Sequence, residues 1–353
     1  MLAAINCQLV LIKVDPELKY SNHYHNLACF CACQGSIEEA NEAFIKALMH
    51  PHAKVTGSLH AEYAQFLILN MNSLIIDPQE ISKHLYAAIE SKNIGGLQYG
   101  KIEQTSVCNI LQELMKQKNT TINVDPKVLA YYLLATHSKF LIKDDKLEEL
   151  LDSFCSYCNS MQDEISFKLL SDTYASTNNE ELALKYSKQA ELINQIDSII
   201  SNKAPISTSN IDFEAIEEYA TTLDILTSKA ISESRLQDVS RFLTKVFQIY
   251  NVVSVENPEQ LQLAANKLAT FSLLTNNLQQ FVVLKFNYGT ELNQDLIKLL
   301  DQDVETVIAI EQQIIAQVTI SLPQQNIETI NSNEILETEV SSLGDNEIVP
   351  WTA

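Results

Sequence analysis

The sequence predicts an all-α protein, built as an α-solenoid of stacked helical hairpins with a mobile acidic tail at the C-terminus. Three observations predict this class. The 353 residues include only 7 Gly and 8 Pro, fewer turn-forming residues than β-sandwiches and barrels usually contain. Apolar residues recur at intervals of three and four, as in 147–154 and 236–247, which is the period of a helix. A self-similar pair of helices also recurs along the chain, and we expect no sheet in the first 200 residues.

Charge and hydropathy exclude several classes of protein. The chain has 24 Lys and Arg against 45 Asp and Glu, a formal charge of −21. This charge argues against binding nucleic acid or anionic lipid, because both need a basic surface. No apolar run approaches 18 residues, which predicts no membrane insertion. The N-terminus lacks a basic region before its apolar stretch, and the 7 Cys are an odd number, so we expect a reducing, cytoplasmic location.

Asx-Pro pairs mark where helices begin. The pairs are Asp15-Pro16, Asp77-Pro78, Asp125-Pro126 and Asn257-Pro258. An Asx side chain accepts a hydrogen bond from the first turn, and Pro suits the first helical position because no N–H is needed there. Residues 281–286 are rich in Val but lie between polar stretches, and we predict a helix there as well.

The clearest helix pair spans residues 24–51, with Gly35 at the turn between its helices. Small residues let the helices approach closely, and larger ones fill the ends. This apolar stripe consists of Tyr24, Leu27, Ala28, Cys31, Ala40, Phe44 and Ala47. A second copy spans 167–193, with its turn at Asn178-Asn179 and with Ser187 where the pattern expects an aromatic residue. Weaker copies cover 60–90, 133–158, 223–247 and 265–286.

This pattern resembles the tetratricopeptide repeat, in a divergent form with Ala28 for Gly and Cys31 for an aromatic residue. The resemblance implies a right-handed solenoid, and a generic helical bundle is the alternative. The N-terminal helix resembles a second repeat helix without its first, which either caps the array or belongs to a chain that begins upstream. We predict repeats over 1–117 and 126–200, degenerate helical repeats over 211–320 and a disordered acidic tail over 321–353.

The resemblance also implies that first helices line a concave groove that binds a peptide or helix. The predicted groove residues are Asn22, His25, Cys29 and Cys33 on the first copy, and Lys168, Asp172 and Ser176 on the second. They do not reproduce the Lys and Asn clamp of chaperone-adaptor repeats. The acidic balance favours a basic segment of the partner. The predicted function is therefore a protein-interaction scaffold or adaptor, with no enzymatic activity and no cofactor.

Some residues have alternative chemical interpretations. Two of His25, Cys29 and Cys33 could share a metal ion, but all three could not, because His25 and Cys33 are about 12 Å apart along a helix. We interpret them as groove-lining or packed residues. Cys155 and Cys158 form a CxxC within a helical pattern, where small buried thiols are usual. His84 is expected to be solvated or to cap a helix end. A helical enzyme or metal protein remains a third class.

The C-terminal tail has a second interpretation besides an ordinary solvated tail. Glu334, Glu337 and Glu339 precede an end that carries Trp351. This arrangement resembles the C-terminal signals of bacterial type IV secretion effectors. That resemblance implies an alternative function, in which the chain is secreted into a host cell and captures a host protein through its repeats.

Overall fold

The computed structural model describes residues 2–14, 22–49, 56–92, 97–99, 109–118, 121–202, 213–252 and 258–288. Nearly all of these residues are helical, which confirms the all-α prediction. The helices are α1 Leu2–Val14, α2 Asn22–Gln34, α3 Ile37–Met49, α4 Gly57–Leu69, α5 Pro78–Glu90, α6 Asn109–Lys118, α7 Pro126–Thr136, α8 Ser138–Leu141, α9 Leu147–Met161, α10 Glu164–Ser176, α11 Glu180–Asn202, α12 Phe213–Ser232, α13 Leu236–Val252, α14 Pro258–Leu274 and α15 Leu278–Tyr288. A short 3₁₀ turn, Asp144–Lys146, precedes α9.

Two Asx-Pro pairs begin helices as predicted. The side chain of Asp77 accepts from the backbone N–H of Gln79 at the start of α5. Asp125 accepts from the backbone of Lys127 and Val128 at the start of α7. Pro258 begins α14, whereas Asp15, Pro16 and Asn257 lie outside the described residues. The Val-rich stretch 281–286 lies in α15, so the helix predicted there is confirmed.

Four helix pairs are joined by the same turn. In each, one residue adopts a positive φ, namely Gly35 (80°), Asn178 (60°), Ser234 (56°) or Asn276 (56°). In each turn, the N–H of the positive-φ residue donates a hydrogen bond to the carbonyl three residues earlier, and the N–H of the following residue donates to the carbonyl five residues earlier. In the first turn these bonds run from Gly35 to Ala32 (3.0 Å) and from Ser36 to Cys31 (3.0 Å). This is the Schellman motif that ends a helix. The next helix begins two residues after the positive-φ residue in all four cases.

The chain divides into two compact units, Met1–Ser198 and Ile199–Ala353. In the first unit α2 packs on α3, α4 on α5, and α7 on α9, while α3 contacts α4, α5 contacts α7 and α9 contacts α10. Helix α7 also contacts α4 and α10. We call α2, α4, α7 and α10 the first helices of their pairs. In the second unit α12 packs on α13, α13 on α14 and α14 on α15.

The predicted stripe of the first copy is the core of its helix pair. Ala28 and Ala40 are fully buried and Phe44 is 2 % exposed. The ring of Phe44 continues the core into α4, where it lies 5.2 Å from each of the rings of Tyr63 and Phe66. Because the small residues leave little room between α2 and α3, the aromatic rings fill the space towards the next pair.

In the second copy the predicted aromatic position is wrong by one residue. Ser187 is exposed, whereas Tyr186 is buried and stacks on Phe167 at 5.9 Å and on Tyr174 at 5.6 Å. Ala190, Ile193 and Ile196 continue the buried face from Tyr186. The repeat pattern is therefore wrong at Ser187, whereas Ala190, which the pattern also assigns to α11, lies on the buried face.

The expectation of no sheet in the first 200 residues is also wrong. Strands β1 Leu97–Tyr99 and β2 Ile122–Val124 form an antiparallel ribbon in which Leu97 pairs with Val124. Leu97, Ile122 and Val124 are buried, so the ribbon has one apolar face. Strands of three residues are too short to show a period in the sequence. The ribbon lies between α5 and α7 in the chain and leaves the contact between those helices intact.

Candidate functional site

The predicted groove residues lie on first helices, four of them on α2, which begins at Asn22, and three on α10. His25, Cys29, Cys33, Lys168 and Asp172 are half-buried, and Ser176 is exposed. The side chain of Asn22 lies outside what the structure describes. The secretion-signal residues Glu334, Glu337, Glu339 and Trp351 also lie outside the described residues.

Two groove residues of α2 meet a carboxylate of α4. His25 Nε2 donates a hydrogen bond to Glu62 Oε2, and Cys29 Sγ lies 3.8 Å from the same oxygen. A ligand atom of each of the three side chains lies within 4.8 Å of the others. Cys33 is not a member of this group, in agreement with the expectation that His25 and Cys33 cannot meet. We call His25, Cys29 and Glu62 the α2–α4 cluster.

The contacts of the α2–α4 cluster change the pKa values of His25 and Cys29. Burial lowers the pKa of His25, but the charge of Glu62 and their hydrogen bond outweigh burial, so the pKa is raised above its ordinary value. Burial, followed by the charge of Glu62, raises the pKa of Cys29 well above its ordinary value. Cys29 is therefore a thiol at neutral pH, unlike the low-pKa cysteines that act as nucleophiles.

A pocket of about 260 Å³ lies between α6, α10 and α11. Two predicted groove residues, Lys168 and Asp172, line this pocket together with Glu113 of α6. The remaining lining residues are Ile110, Leu114, Ser171, Ala175 and Ser187. We call this the α6–α10–α11 pocket. Ser176 does not line it.

The charged side chains that line the α6–α10–α11 pocket are two carboxylates and one lysine. Lys168 Nζ pairs with Glu164 Oε1 at 2.7 Å, and Glu164 is 5 % exposed, so the cation is largely neutralised from within its own helix. Asp172 Oδ2 accepts a hydrogen bond from the hydroxyl group of Tyr132 on α7 at 2.9 Å. Glu113 is exposed at the pocket. Because the lysine is already paired, the two carboxylates give the pocket an acidic character.

His84 is neither the solvated nor the helix-capping residue that the sequence predicts. It is half-buried in α5, and its Nδ1 lies 2.8 Å from Nδ1 of His60 on α4. The ring of Tyr63 meets it edge-on at 4.9 Å. Burial, then the charges of His60 and Lys83, lowers the pKa of His84 to about 4, so it is neutral at pH 7.

The two cysteines of the CxxC have separate surroundings. Cys155 hydrogen-bonds to the hydroxyl group of Tyr186 at 2.9 Å. Cys158 is buried and donates to the backbone carbonyl of Ser166 at 3.5 Å. Burial raises the pKa of Cys158 well above its ordinary value. Both thiols thus take part in packing α9 against α10 and α11.

Sequence reasoning missed Glu62, Glu113 and Tyr132. A signal for Glu62 was present, because it is the one acidic residue in a helix, α4, that has no Lys or Arg and is rich in apolar residues. A carboxylate in such a helix usually needs a partner. Glu113 and Tyr132 carry no comparable signal, since their positions relative to α10 depend on how the helices pack.

Comparison of the chain with protein-family models, curated proteins and solved structures gives no match. Among the described helices, none combines the length and apolar character needed to cross a membrane. The fold and its sites define an all-α protein of helical hairpins, with the α2–α4 cluster between two first helices and an acidic pocket between α6, α10 and α11.

Proposed function

We propose that the chain is a protein-interaction scaffold of tetratricopeptide-like repeats that binds a basic peptide segment in the α6–α10–α11 pocket. The observation that carries this proposal is the pair of carboxylates, Glu113 and Asp172, in a pocket whose lysine is paired elsewhere. A lysine or arginine side chain of a partner would complete this arrangement, because its donors match two carboxylates.

Helix contacts support a solenoid within the first unit. Each second helix contacts the first helix of the next pair, as α3 with α4, α5 with α7 and α9 with α10. Successive first helices are also in contact, as α4 with α7 and α7 with α10. Nearest-neighbour contacts of this kind are typical of repeat proteins. The identical turns at Gly35 and Asn178 support a common hairpin at two places in this unit.

In this arrangement the first helices form the binding wall. Polar side chains join them at two places: His25 and Cys29 meet Glu62 between α2 and α4, and Tyr132 meets Asp172 between α7 and α10. Both places involve predicted groove residues. A peptide that follows this wall would therefore meet polar groups at fixed intervals and an acidic pocket at one of them.

The test is binding of immobilised random-sequence peptides that carry Lys, Arg, Gln or Glu at one fixed central position. We expect the full chain to select Lys or Arg. Asp172→Asn and Glu113→Gln should each weaken binding about 10-fold or more, since a hydrogen bond to a charged group contributes about 1.5–3 kcal/mol. Glu181→Gln is the matched control, because Glu181 is exposed on α11 but does not line the pocket.

Two results would contradict this proposal. One is selection of acidic or apolar central residues in place of basic ones. The other is an equal effect of Asp172→Asn and Glu181→Gln, which would show that overall charge and not the pocket attracts the peptide.

Our second proposal concerns delivery, and it rests on the sequence of the C-terminal tail. If Glu334, Glu337, Glu339 and Trp351 form a secretion signal, the chain is a type IV effector that captures a host protein. Deleting residues 334–353 should then abolish export while leaving peptide binding unchanged. Unchanged export of the shortened chain would contradict this proposal.

A further inference from the structure

We propose that His25, Cys29 and Glu62 form a zinc site that joins α2 to α4, with a fourth coordination position open to water. The sequence alone predicts no metal here, because the third candidate ligand within α2 is Cys33, which lies too far from His25. The fold changes this by bringing a carboxylate from the next helix pair to the same place.

The positions of the three side chains suit coordination of one ion. His25 and Cys29 are four residues apart in α2, so they lie on one face of the helix. Glu62 approaches from α4. With zinc–ligand distances of about 2.0–2.3 Å, donor atoms in a tetrahedral site lie about 3.3–3.8 Å apart. Cys29 Sγ and Glu62 Oε2 are already 3.8 Å apart.

The other two pairs of donor atoms need only a small movement, because all three donors already lie within 4.8 Å of one another. His25 Nε2 and Glu62 Oε2 are in direct hydrogen-bond contact, and zinc would replace the proton between them. Binding would also replace the thiol proton of Cys29, so that three donors of the correct type face the ion. The side chains of His25 and Glu62 are 20 % and 19 % exposed, which leaves a path for the ion and for a water ligand.

The chemical types of the three ligands favour zinc over calcium and magnesium. Calcium and magnesium prefer oxygen ligands and have little affinity for a thiolate. One sulfur, one imidazole nitrogen and one carboxylate oxygen suit zinc, and three protein ligands plus water is a common zinc arrangement. The proposal is independent of the peptide pocket, which is formed by other helices.

The experiment titrates the reduced, chelator-treated full chain with zinc in competition with a chromophoric zinc indicator. We expect one zinc per chain. Cys29→Ser and Glu62→Gln, which preserve side-chain size, and His25→Ala should each weaken binding at least about 10-fold, since even outer partners of metal ligands contribute about 10–100-fold. Cys33→Ser is the matched control, because Cys33 lies one turn from Cys29 on α2 but outside the cluster.

Cobalt(II) provides a second, spectroscopic measurement of the same site. A thiolate-to-cobalt charge-transfer band in the wild-type chain, lost in Cys29→Ser and kept in Cys33→Ser, would support the site. The proposal is overturned if no such band forms, if zinc does not saturate at one equivalent, or if Cys33→Ser loses as much affinity as Cys29→Ser. Circular dichroism of each metal-free variant verifies that a loss of binding is not a loss of folding.

Discussion

The hydroxyl group of Tyr132 on α7 donates a hydrogen bond of 2.9 Å to Oδ2 of Asp172 on α10. This bond joins the first helices of two successive pairs and orients a carboxylate that lines the α6–α10–α11 pocket. The side chain of Asp172 therefore both connects α7 to α10 and lines the candidate binding pocket.

Tyr132→Phe should lower the free energy of unfolding by about 1–2 kcal/mol, because a hydrogen bond to a charged group is lost and Asp172 loses a donor. Chemical denaturation measures this change. A double-mutant cycle with Asp172→Asn should show a coupling energy of about 1 kcal/mol, as is usual for residues in direct contact. Simple additivity of the two single variants would contradict the contact.

Tyr186 and Ser187 are expected to differ sharply in their effect on stability. Tyr186→Ala removes a buried ring that stacks between Phe167 and Tyr174, and should lower the free energy of unfolding by about 3–5 kcal/mol. Ser187→Ala is the control, and should change it by less than about 0.5 kcal/mol because Ser187 is exposed. Similar effects of the two changes would contradict the burial of Tyr186 and the exposure of Ser187.

Ser234 adopts a φ of 56° without the conformational freedom of glycine. Ser234→Gly should raise the free energy of unfolding by about 1 kcal/mol, because the left-handed conformation costs a side chain about 1–2 kcal/mol. Ser228→Gly, on an exposed turn of α12, is the matched control and should lower it by about 0.5 kcal/mol. Thermal unfolding of the two variants and the wild-type chain measures these changes. A loss of stability in Ser234→Gly would contradict the positive φ of Ser234.

The lowered pKa of His84 predicts that the folded protein loses stability in acid. Its pKa is lowered to about 4 from an ordinary value of 6.5, so the unfolded chain takes up a proton at higher pH than the folded chain. Stability should therefore fall as the pH drops from 6.5 towards 4, and be fully present above 6.5. In His84→Asn this fall should be smaller, as measured by denaturant titrations at several pH values. An equally steep fall in the variant would contradict the prediction.

Local features of the sequence were sufficient to predict much of the secondary structure. The Asx-Pro starts of α5 and α7 and the turns at Gly35 and Asn178 depend on hydrogen bonds within about five residues, and such bonds are encoded where they form. The buried stripe of α2 and α3 follows from the spacing of its residues. The division into repeats over 1–117, 126–200 and 211–320 stays a prediction.

The candidate sites could be predicted only in part. His25, Cys29, Lys168 and Asp172 were found because helix periodicity places them beside an apolar stripe. Their partners were not found, because Glu62, Glu113 and Tyr132 lie 33 to 59 residues away in the sequence and meet them only through packing.

The sequence by itself determined that this protein is helical, where several helices begin and end, and which residues face the core of the first hairpin. Only the tertiary structure decided that Glu62 faces His25 and Cys29, that Tyr186 and not Ser187 is buried, and that residues near 97 and 122 pair as strands. The physical reason is range. Helix period and capping depend on neighbours within a few residues, whereas the relative rotation of two packed helices depends on the fit of whole surfaces.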